Sequence, residues 1–203
     1  MATTTPNYGW PVPTSTDYVK DGATAIEALG DAIDATVFGL GSAGLVFLNE
    51  TTFTAQTSVS LPTDTFTSTY SNYRIIVSFS AVSATTGVNV RFRTSGTDNT
   101  TANYNYFSSA FNSSTGAQTA SNARSQTSAI LGAAATIPAN FSMDVMDPKN
   151  ALYTTLTGSG VYTLANTVYS GLSFNAATVF DSMTFIASTG NFTGVVRAYG
   201  YAE

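Results

Sequence analysis

The feature that most constrains the fold is a series of short segments in which apolar and polar residues alternate. The clearest is residues 72–81, NYRIIVSFSA. Alternation of this kind places every second side chain on the same face of a β-strand. Four large residues share that face: Tyr73, Ile75, Val77 and Phe79.

About ten short segments after residue 44 have this character, and turn residues separate them. The other predicted strands are 45–48, 52–61, 88–94, 103–111, 129–137, 140–146, 151–157, 161–169, 171–174, 182–187 and 192–201. Residues 112–127 are rich in Ser, Asn, Ala and Gly, and we predict a long loop there. Regularly spaced short strands predict a mainly β fold, an antiparallel jelly-roll-like β-sandwich over residues 45–203.

The composition agrees with exposed sheet faces that carry few charges. Hydrophobic residues are 43% of the chain, but charged residues are only 9%, against about 25% in typical domains. Hydroxyl side chains supply the polarity, with 34 Thr and 23 Ser. A surface with so little charge is compatible with close contact between subunits.

A single convincing helix is predicted at residues 24–38. Thr24 and Glu27 have the spacing of a capping box. Four apolar residues form one narrow stripe: Ile26, Leu29, Ile33 and Val37. A helix of roughly four turns is marginal alone, so we predict that the stripe pairs with copies of itself or with another protein. Packing on its own domain is the alternative. Gly39, Gly41 and Gly44 then indicate a joint, with a domain boundary near residue 44.

The first 16 residues predict an extended arm, because proline fixes φ and removes a hydrogen-bond donor. Its aromatic and proline residues are Tyr8, Trp10, Pro11 and Pro13. An exposed tryptophan favours an apolar pocket, and we expect the arm to lie along a neighbouring subunit. The alternative is a disordered tail.

The run YGWPVP, followed by DYVKDGATAIEALGDAID, resembles the N-terminal segment of many tailed-bacteriophage fibre and minor tail proteins. The resemblance implies a structural protein of the virion, and the lack of a signal-peptide pattern at the N-terminus predicts that it is made in the host cytoplasm. It implies that residues 1–44 dock onto other virion proteins through the aromatic arm, and that residues 45–203 face outward. Fibres of this kind are usually threefold, so a homotrimer held by the helix stripe is expected.

Several function classes are unfavourable. The chain has no His and no Cys, so it lacks the usual general base, zinc ligands and thiol nucleophile. Asp144 and Asp147 are close in sequence, and a turn is favoured there over a calcium site or catalysis. We therefore predict a protein that is not an enzyme and that needs no cofactor or metal.

The charge distribution and hydropathy exclude two further kinds of partner. The net charge is −5: residues 1–44 hold five acidic and one basic residue, and the remainder hold seven and six. Without a basic patch, nucleic-acid binding is not expected. No run of about 20 apolar residues predicts membrane insertion, and the first residues lack the pattern of a signal peptide.

Function on such a scaffold is expected in loops held by the rigid sandwich, and the longest loop candidate is residues 112–127, with residues 104–111 leading into it. Tyrosine and asparagine suit saccharide or protein contact, because the ring stacks while polar atoms stay hydrated. The predicted receptor contact consists of Tyr104, Tyr106, Asn112 and Arg124. We expect a short tail or neck fibre that attaches to a host surface glycan or protein. The alternatives are a capsid decoration or head-fibre protein and, less favoured, a carbohydrate-binding module.

Overall fold

The computed structural model describes residues 3–14, 18–40, 44–135, 139–163 and 165–202. The chain divides into two compact units. The first comprises Met1–Gly44 with Ala202–Glu203, and the second comprises Leu45–Tyr201. Among the described residues, no helix combines the length and the apolar character needed to cross a membrane.

The N-terminal arm is a small hairpin, and the prediction of an extended arm is wrong. Strand β1 (Thr3–Thr4) pairs antiparallel with β2 (Pro11–Val12). The chain reverses at Gly9, which has a φ of +67°, a conformation open to glycine. The Gly9 amide donates to the Thr5 carbonyl at 3.0 Å, and this bond closes the turn.

Helix α1 (Gly22–Leu40) follows a 3-10 turn at Val19–Asp21. It begins two residues before Thr24, so Thr24 lies inside the first turn and is not the predicted cap. Leu29 and Ile33 are half-buried, whereas Ile26 is 66% and Val37 is 57% exposed. The described part of the first unit therefore leaves much of the apolar stripe uncovered.

The second unit consists of strands joined by turns. In chain order they are β3 (Leu45–Gln56), β4 (Ser58–Ser60), β5 (Asn72–Val82), β6 (Thr86–Thr94), β7 (Thr97–Asp98), β8 (Tyr104–Asn112), β9 (Gln118–Gln126), β10 (Ala129–Ala134), β11 (Ala139–Met146), β12 (Thr155–Thr163), β13 (Asn166–Phe174), β14 (Ser182–Ala187) and β15 (Phe192–Tyr201).

These strands form two antiparallel sheets, and the predicted mainly β sandwich is confirmed. The larger sheet has eight strands in the order β3-β15-β5-β11-β12-β13-β8-β9. The smaller has the order β10-β6-β14-β4, with β7 added on β6. Every strand pair described is antiparallel.

The core lies between the inner faces of the two sheets. The apolar face predicted for residues 72–81 is buried in β5, and β6 and β11 behave in the same way. The Phe79 ring lies 4.5 Å from that of Phe192 on the same sheet. Phe92 of the smaller sheet stacks at 6.2 Å on Tyr104 of the larger one. Aromatic packing therefore joins the two layers.

The segment predicted as a loop at 112–127 is instead a β-hairpin turn followed by strand β9, which pairs with β8. Eight of its nine residues are exposed. The smaller sheet ends at β10, which lies against β8, β13 and β12, so β9 extends beyond it. Because neither face of β9 is buried, its sequence has no apolar alternation.

The predicted strands at 151–157, 161–169 and 171–174 are likewise redistributed. They form the hairpin of β12 and β13, whose chain reversal falls between residues 163 and 166. The outer face of both strands carries many polar and glycine residues, and only the inner positions are regularly buried. The sequence therefore gives a weak signal for where each strand begins and ends.

Candidate functional site

A groove of about 690 Å³ crosses β12, β13, β8 and β9 at one side of the larger sheet. Its lining combines amides, hydroxyls, one guanidinium and one exposed aromatic ring. The lining residues are Asn105, Tyr106, Phe107, Asn122, Ala123, Arg124, Thr155, Leu156, Thr157, Gly171, Leu172 and Ser173.

Strand register sets the order of the side chains in the groove. Asn122 pairs with Phe107, Phe107 with Gly171, and Gly171 with Thr157. Directly paired residues project from the same face of a sheet. These four positions therefore form one row across the outer face, whereas Leu156 and Leu172 on the inner face are buried in the core.

An irregularity in β9 places Arg124 beside this row. The register shifts where Tyr104 pairs with Gln126 but Tyr106 pairs with Ala123. Ser125 adopts a φ of +54°, and its amide donates to Oδ1 of Asn105 at 3.0 Å. Such bulges bend the strand and redirect a side chain, so the Asn105 amide group holds the distortion at the position of Arg124.

Arg124 differs from the other four arginines, all of which have acidic partners. Arg74 contacts Asp144, Arg197 contacts Glu50, and Arg91 and Arg93 contact Asp98. The Arg124 guanidinium is exposed and has no ion pair or hydrogen bond within the described chain. No acidic side chain lines the groove. The site therefore presents one uncompensated positive charge with several donors.

Gly171 forms an open part of the groove floor. A Cβ at Gly171 would have the Leu156 carbonyl as its nearest neighbour, at 3.9 Å. By contrast, a Cβ at Gly160 would clash with the Phe141 ring, and one at Gly194 would clash with the Ser78 carbonyl. Packing therefore requires glycine at positions 160 and 194 but not at position 171. The absence of a side chain at Gly171 leaves space for a ligand to approach the backbone.

A patch of exposed apolar side chains adjoins the groove on the same face. Its four members are Phe107, Phe111, Val161 and Tyr169, each between 47% and 62% exposed. Tyr169 lies two residues from Gly171 on β13, and Phe107 and Phe111 flank it diagonally on β8. We call this set the aromatic patch, and Phe107 belongs both to it and to the groove.

The structure brings together two of the four residues predicted as a receptor contact. Tyr106 and Arg124 both line the groove, but Tyr106 pairs with the inner-face Leu172 and is half-buried against the core, so Arg124 is the exposed one of the two. Tyr104 is buried in the core, where its hydroxyl accepts from the Phe92 amide at 2.9 Å and donates to the Asn99 carbonyl at 3.0 Å. The structure thus removes Tyr104 from the predicted contact.

Asn112 lies at the opposite end of β8, outside the groove, in the turn that leads to β9. Its Oδ1 accepts from the amides of Ser114 and Thr115, at 3.0 and 3.1 Å. These bonds form the turn that the asparagine side chain favours, so Asn112 has a structural partner already. Sequence reasoning missed Phe107, Asn122 and Gly171 because their shared row depends on the pairing of β8, β9 and β13.

Five of the acidic residues described in the sandwich have side-chain partners within the protein, namely Glu50, Asp98, Asp144, Asp147 and Asp181. Arg74 donates to both oxygens of Asp144 at 2.7 Å, and the Tyr201 hydroxyl donates to Oδ1 at 2.5 Å. The Arg74 hydrogen bonds lower the pKa of Asp144 below its usual range. Asp147 instead accepts from the Asn150 side chain at 2.8 Å in a turn. No group of three His, Cys, Asp or Glu among the described residues is arranged to hold a metal ion.

A second groove, of about 460 Å³, lies at the other side of the same sheet, between β3, β15, β5 and β11. It has no charged lining residue, and its polar groups are mainly hydroxyls such as Thr52, Ser78 and Thr193. Its floor is Gly194, which close backbone packing requires. The first groove therefore offers the more specific chemistry.

The residues predicted for docking lie in the N-terminal hairpin. Tyr8 is 59% exposed and stacks on Trp10 at 5.2 Å. The Trp10 indole donates to Oγ1 of Thr36 on α1 at 2.9 Å. Pro11 and Pro13 are half-buried. The tryptophan thus has a partner within its own unit, and Tyr8 is the more exposed of the two rings.

No family model matches this chain, and no curated protein matches it. The solved structures that are weakly similar in shape include three from different organisms. The galectin LEC-6 of Caenorhabditis elegans is 12% identical, with a TM-score of 0.38, over 74% of this chain and 95% of that one. The Ruminococcus gnavus IT-sialidase CBM40 is 11% identical, with a TM-score of 0.27, over 76% and 92%.

The third structure, SO2946 of Shewanella oneidensis MR-1, is described as a protein of unknown function. It is 9% identical, with a TM-score of 0.21, over 81% of this chain and 82% of that one. Likenesses this weak carry no argument about function, and the fold described above rests on the strand pairing itself.

Proposed function

We propose that this chain is a structural component of a phage particle, a short tail or neck fibre that attaches the particle to its host. Residues 1–44 dock onto other virion proteins, and the β-sandwich presents a binding groove outward. The observation that carries the attachment role is Arg124, the one arginine that has no acidic partner among the described residues, at the edge of a groove with an open glycine floor.

The groove suits a polar ligand with some apolar surface. Asn122, Thr157 and Ser173 offer hydrogen-bonding groups along its length, and Phe107 offers an exposed ring. Binding sites of this kind combine a few directional polar groups with apolar contact area. Saccharides on a cell surface have both properties, so a host glycan is the proposed receptor.

The docking role rests on the resemblance of the N-terminal run to phage fibre segments, and the exposed Tyr8 ring supports it. The exposed parts of the helix stripe support self-association, since Ile26 and Val37 remain accessible to solvent. We propose that three copies bury this stripe together around a threefold axis, because a helix of this length needs a partner to be stable.

Adsorption of particles to host cells tests the attachment role. Particles carrying Arg124→Gln with Asn122→Ser should assemble normally and adsorb weakly. Particles carrying Lys149→Gln are the matched control, because they lose the same charge outside the groove. Unchanged adsorption by the groove variant would contradict the proposal and would favour a capsid decoration or head-fibre role, in which no receptor is needed.

Incorporation into particles tests the docking role. Deletion of residues 1–40 should leave a folded sandwich that is absent from purified virions. Cryo-electron microscopy of the wild-type virion should place the protein at the tail or neck. Density on the capsid surface would instead support the decoration alternative.

A light-scattering measurement tests the trimer. The full chain should have three times the monomer mass, and Leu29→Asp with Ile33→Asp should reduce that mass, because it places charge on the apolar stripe. A monomeric full chain in solution would contradict self-association through the helix.

A further inference from the structure

We infer that the groove binds an oligosaccharide that carries a carboxylate, with Arg124 as the group that recognises the acid. This inference rests on the proposed attachment to a host glycan and adds the chemical class of the ligand. It is argued from the charges in the groove, its floor and the adjoining aromatic patch.

The charge pattern favours an anionic sugar over a neutral one. Among the residues that the structure describes, Arg124 is exposed without an ion-pair partner, and no acidic side chain lines the groove. The nearest acid in the central row is Asp144, one strand beyond Thr157, and Arg74 holds it at 2.7 Å through both oxygens. A planar guanidinium can bind a carboxylate through two parallel hydrogen bonds. A carboxylate at this position would therefore be attracted by Arg124 without repulsion from a free acid.

The remaining polar groups match the hydroxyls of a sugar ring. The Asn122 amide lies beside Arg124 on β9 and has no side-chain hydrogen bond within the described chain. Thr155, Thr157 and Ser173 provide hydroxyls on the neighbouring strands. A hydroxyl group both donates and accepts, so these side chains can pair with sugar hydroxyls of either orientation. Gly171 leaves room for the ring to approach the sheet.

The aromatic patch extends the site beyond one sugar ring. The groove crosses four strands, which at about 4.8 Å per strand corresponds to roughly 14 Å between the outer two. Phe107 lies within the groove, and Tyr169 lies next to it on the same face with 62% of its surface exposed. Exposed rings can contact the apolar face of a sugar while a tyrosine hydroxyl stays hydrated. A second sugar can thus contact the patch while the acidic sugar contacts Arg124.

A polyanion such as a nucleic acid does not fit the same observations. Nucleic-acid sites neutralise a series of phosphates with several basic residues. The groove has a single cation, and the other four arginines of the chain are paired with acids. One positive charge suits one carboxylate presented among neutral hydroxyls.

Calorimetric titration of the full-length chain with matched saccharide pairs tests the inference. The first pair is trigalacturonic acid and its methyl ester, and the second is sialyllactose and lactose. The acidic member of at least one pair should bind more tightly than its neutral partner. Arg124→Gln should weaken binding of the acid about tenfold or more, which is the scale of a lost charged hydrogen bond, and should remove the preference.

Two further variants separate local from general effects. Gly171→Val should weaken binding of the acidic sugar by filling the floor, while the unfolding temperature stays unchanged because the Cβ position is open. Lys149→Gln removes the same charge elsewhere and should leave the affinity within about twofold of wild type.

The outcomes distinguish the inference from the proposed function. Equal binding of acidic and neutral sugars, or a preference that survives Arg124→Gln, would overturn the inference while leaving glycan attachment in place. No binding of any saccharide, together with normal adsorption of the groove variants on particles, would overturn both. A preference for the acid that Arg124→Gln abolishes and Lys149→Gln retains would support the inference.

Discussion

The strands at the two sides of the larger sheet differ in how much of their surface is buried by the rest of the protein. In β5, β11 and β15 the inner side chains are buried, and glycines such as Gly194 are required by close packing. In β8, β13 and β9 the outer face carries exposed side chains such as Phe107 and Tyr169, and only β9, beyond the smaller layer, is exposed on both faces. The first set, which we call the covered side, carries the core. The second, the uncovered side, carries the groove.

The difference shows how one continuous sheet separates stability from binding. Residues on the covered side contact many partners, so a change there alters the free energy of unfolding. Residues of the groove, such as Arg124 and Gly171, contact few protein atoms and are free to contact a ligand. Rigid strands still hold them, because main-chain pairing continues from β5 to β9 without interruption.

The largest difference between the two sides is expected from removal of a phenylalanine ring. Phe79→Ala should reduce the free energy of unfolding by about 3–5 kcal/mol, since the Phe79 ring lies among those of Phe53, Phe141 and Phe192. Phe107→Ala should change it by less than about 0.5 kcal/mol. Denaturant titration measures both, and similar losses would show that the uncovered side contributes to the core.

Glycine substitutions sharpen the comparison within one hairpin. Gly160→Ala should cost up to about 3 kcal/mol, because its Cβ would clash with the Phe141 ring and overpack the core. Gly171→Ala should be neutral or stabilise the fold by about 0.4–1 kcal/mol, through reduced freedom of the unfolded chain. The unfolding midpoints of the two variants provide the test. A destabilising Gly171→Ala would mean that the groove floor is packed after all.

Tyr104 tests where the boundary between the two sides lies, since it belongs to β8 but points into the core. Tyr104→Phe should cost about 1–3 kcal/mol, because it leaves the buried Phe92 amide without a partner. Tyr169→Phe, on the outer face of β13, is the control and should have no measurable effect. If Tyr104→Phe also had no measurable effect on the free energy of unfolding, the inner face of β8 at Tyr104 would not belong to the stabilising core.

The same residue gives a pH dependence at the alkaline end. Burial raises the pKa of Tyr104 above its ordinary value, so the folded state favours the neutral phenol. This contribution is complete below the ordinary tyrosine pKa of about 10 and is lost as the pH rises past it towards the folded value. The free energy of unfolding, measured between pH 9 and 12, should therefore fall less steeply with pH for Tyr104→Phe than for the wild type. Some pH dependence should remain, because burial also raises the pKa of Tyr73.

The smallest effect is expected from the ion pair on the outer face of the covered side. Asp144→Asn should cost less than about 1 kcal/mol, since both partners are partly exposed. Because Arg74 lowers the pKa of Asp144, the contribution is present above the ordinary Asp value of about 3.9 and is lost as the pH falls below it. The test is acid denaturation, with Glu50→Gln as the control. A loss of several kcal/mol would make the outer face part of the stabilising structure.

The covered side is also the part that the sequence predicts well. Tyr73, Ile75, Val77 and Phe79 alternate because one face of β5 is buried, and that physical cause leaves a readable period. Strand β9 has no buried face, so its sequence shows no alternation of apolar and polar residues. Its Ser and Asn residues are typical of a loop. Of the residues that line the groove, only Tyr106 and Arg124 belong to the predicted receptor contact. The positions of Phe107 and Gly171 depend on pairing between strands distant in sequence, which no local pattern encodes.

The exposure of β9 on both faces has an evolutionary consequence. A strand that buries almost nothing can change most of its side chains while its main-chain pairing with β8 is retained. Selection on folding therefore constrains residues 118–126 weakly, and selection on ligand preference can act on them almost independently. Homologous chains are expected to diverge first along this strand, with the β5 and β11 sequences retained. The place of Arg124 on an uncovered edge means that single substitutions could change the chemistry of the groove and leave the fold intact.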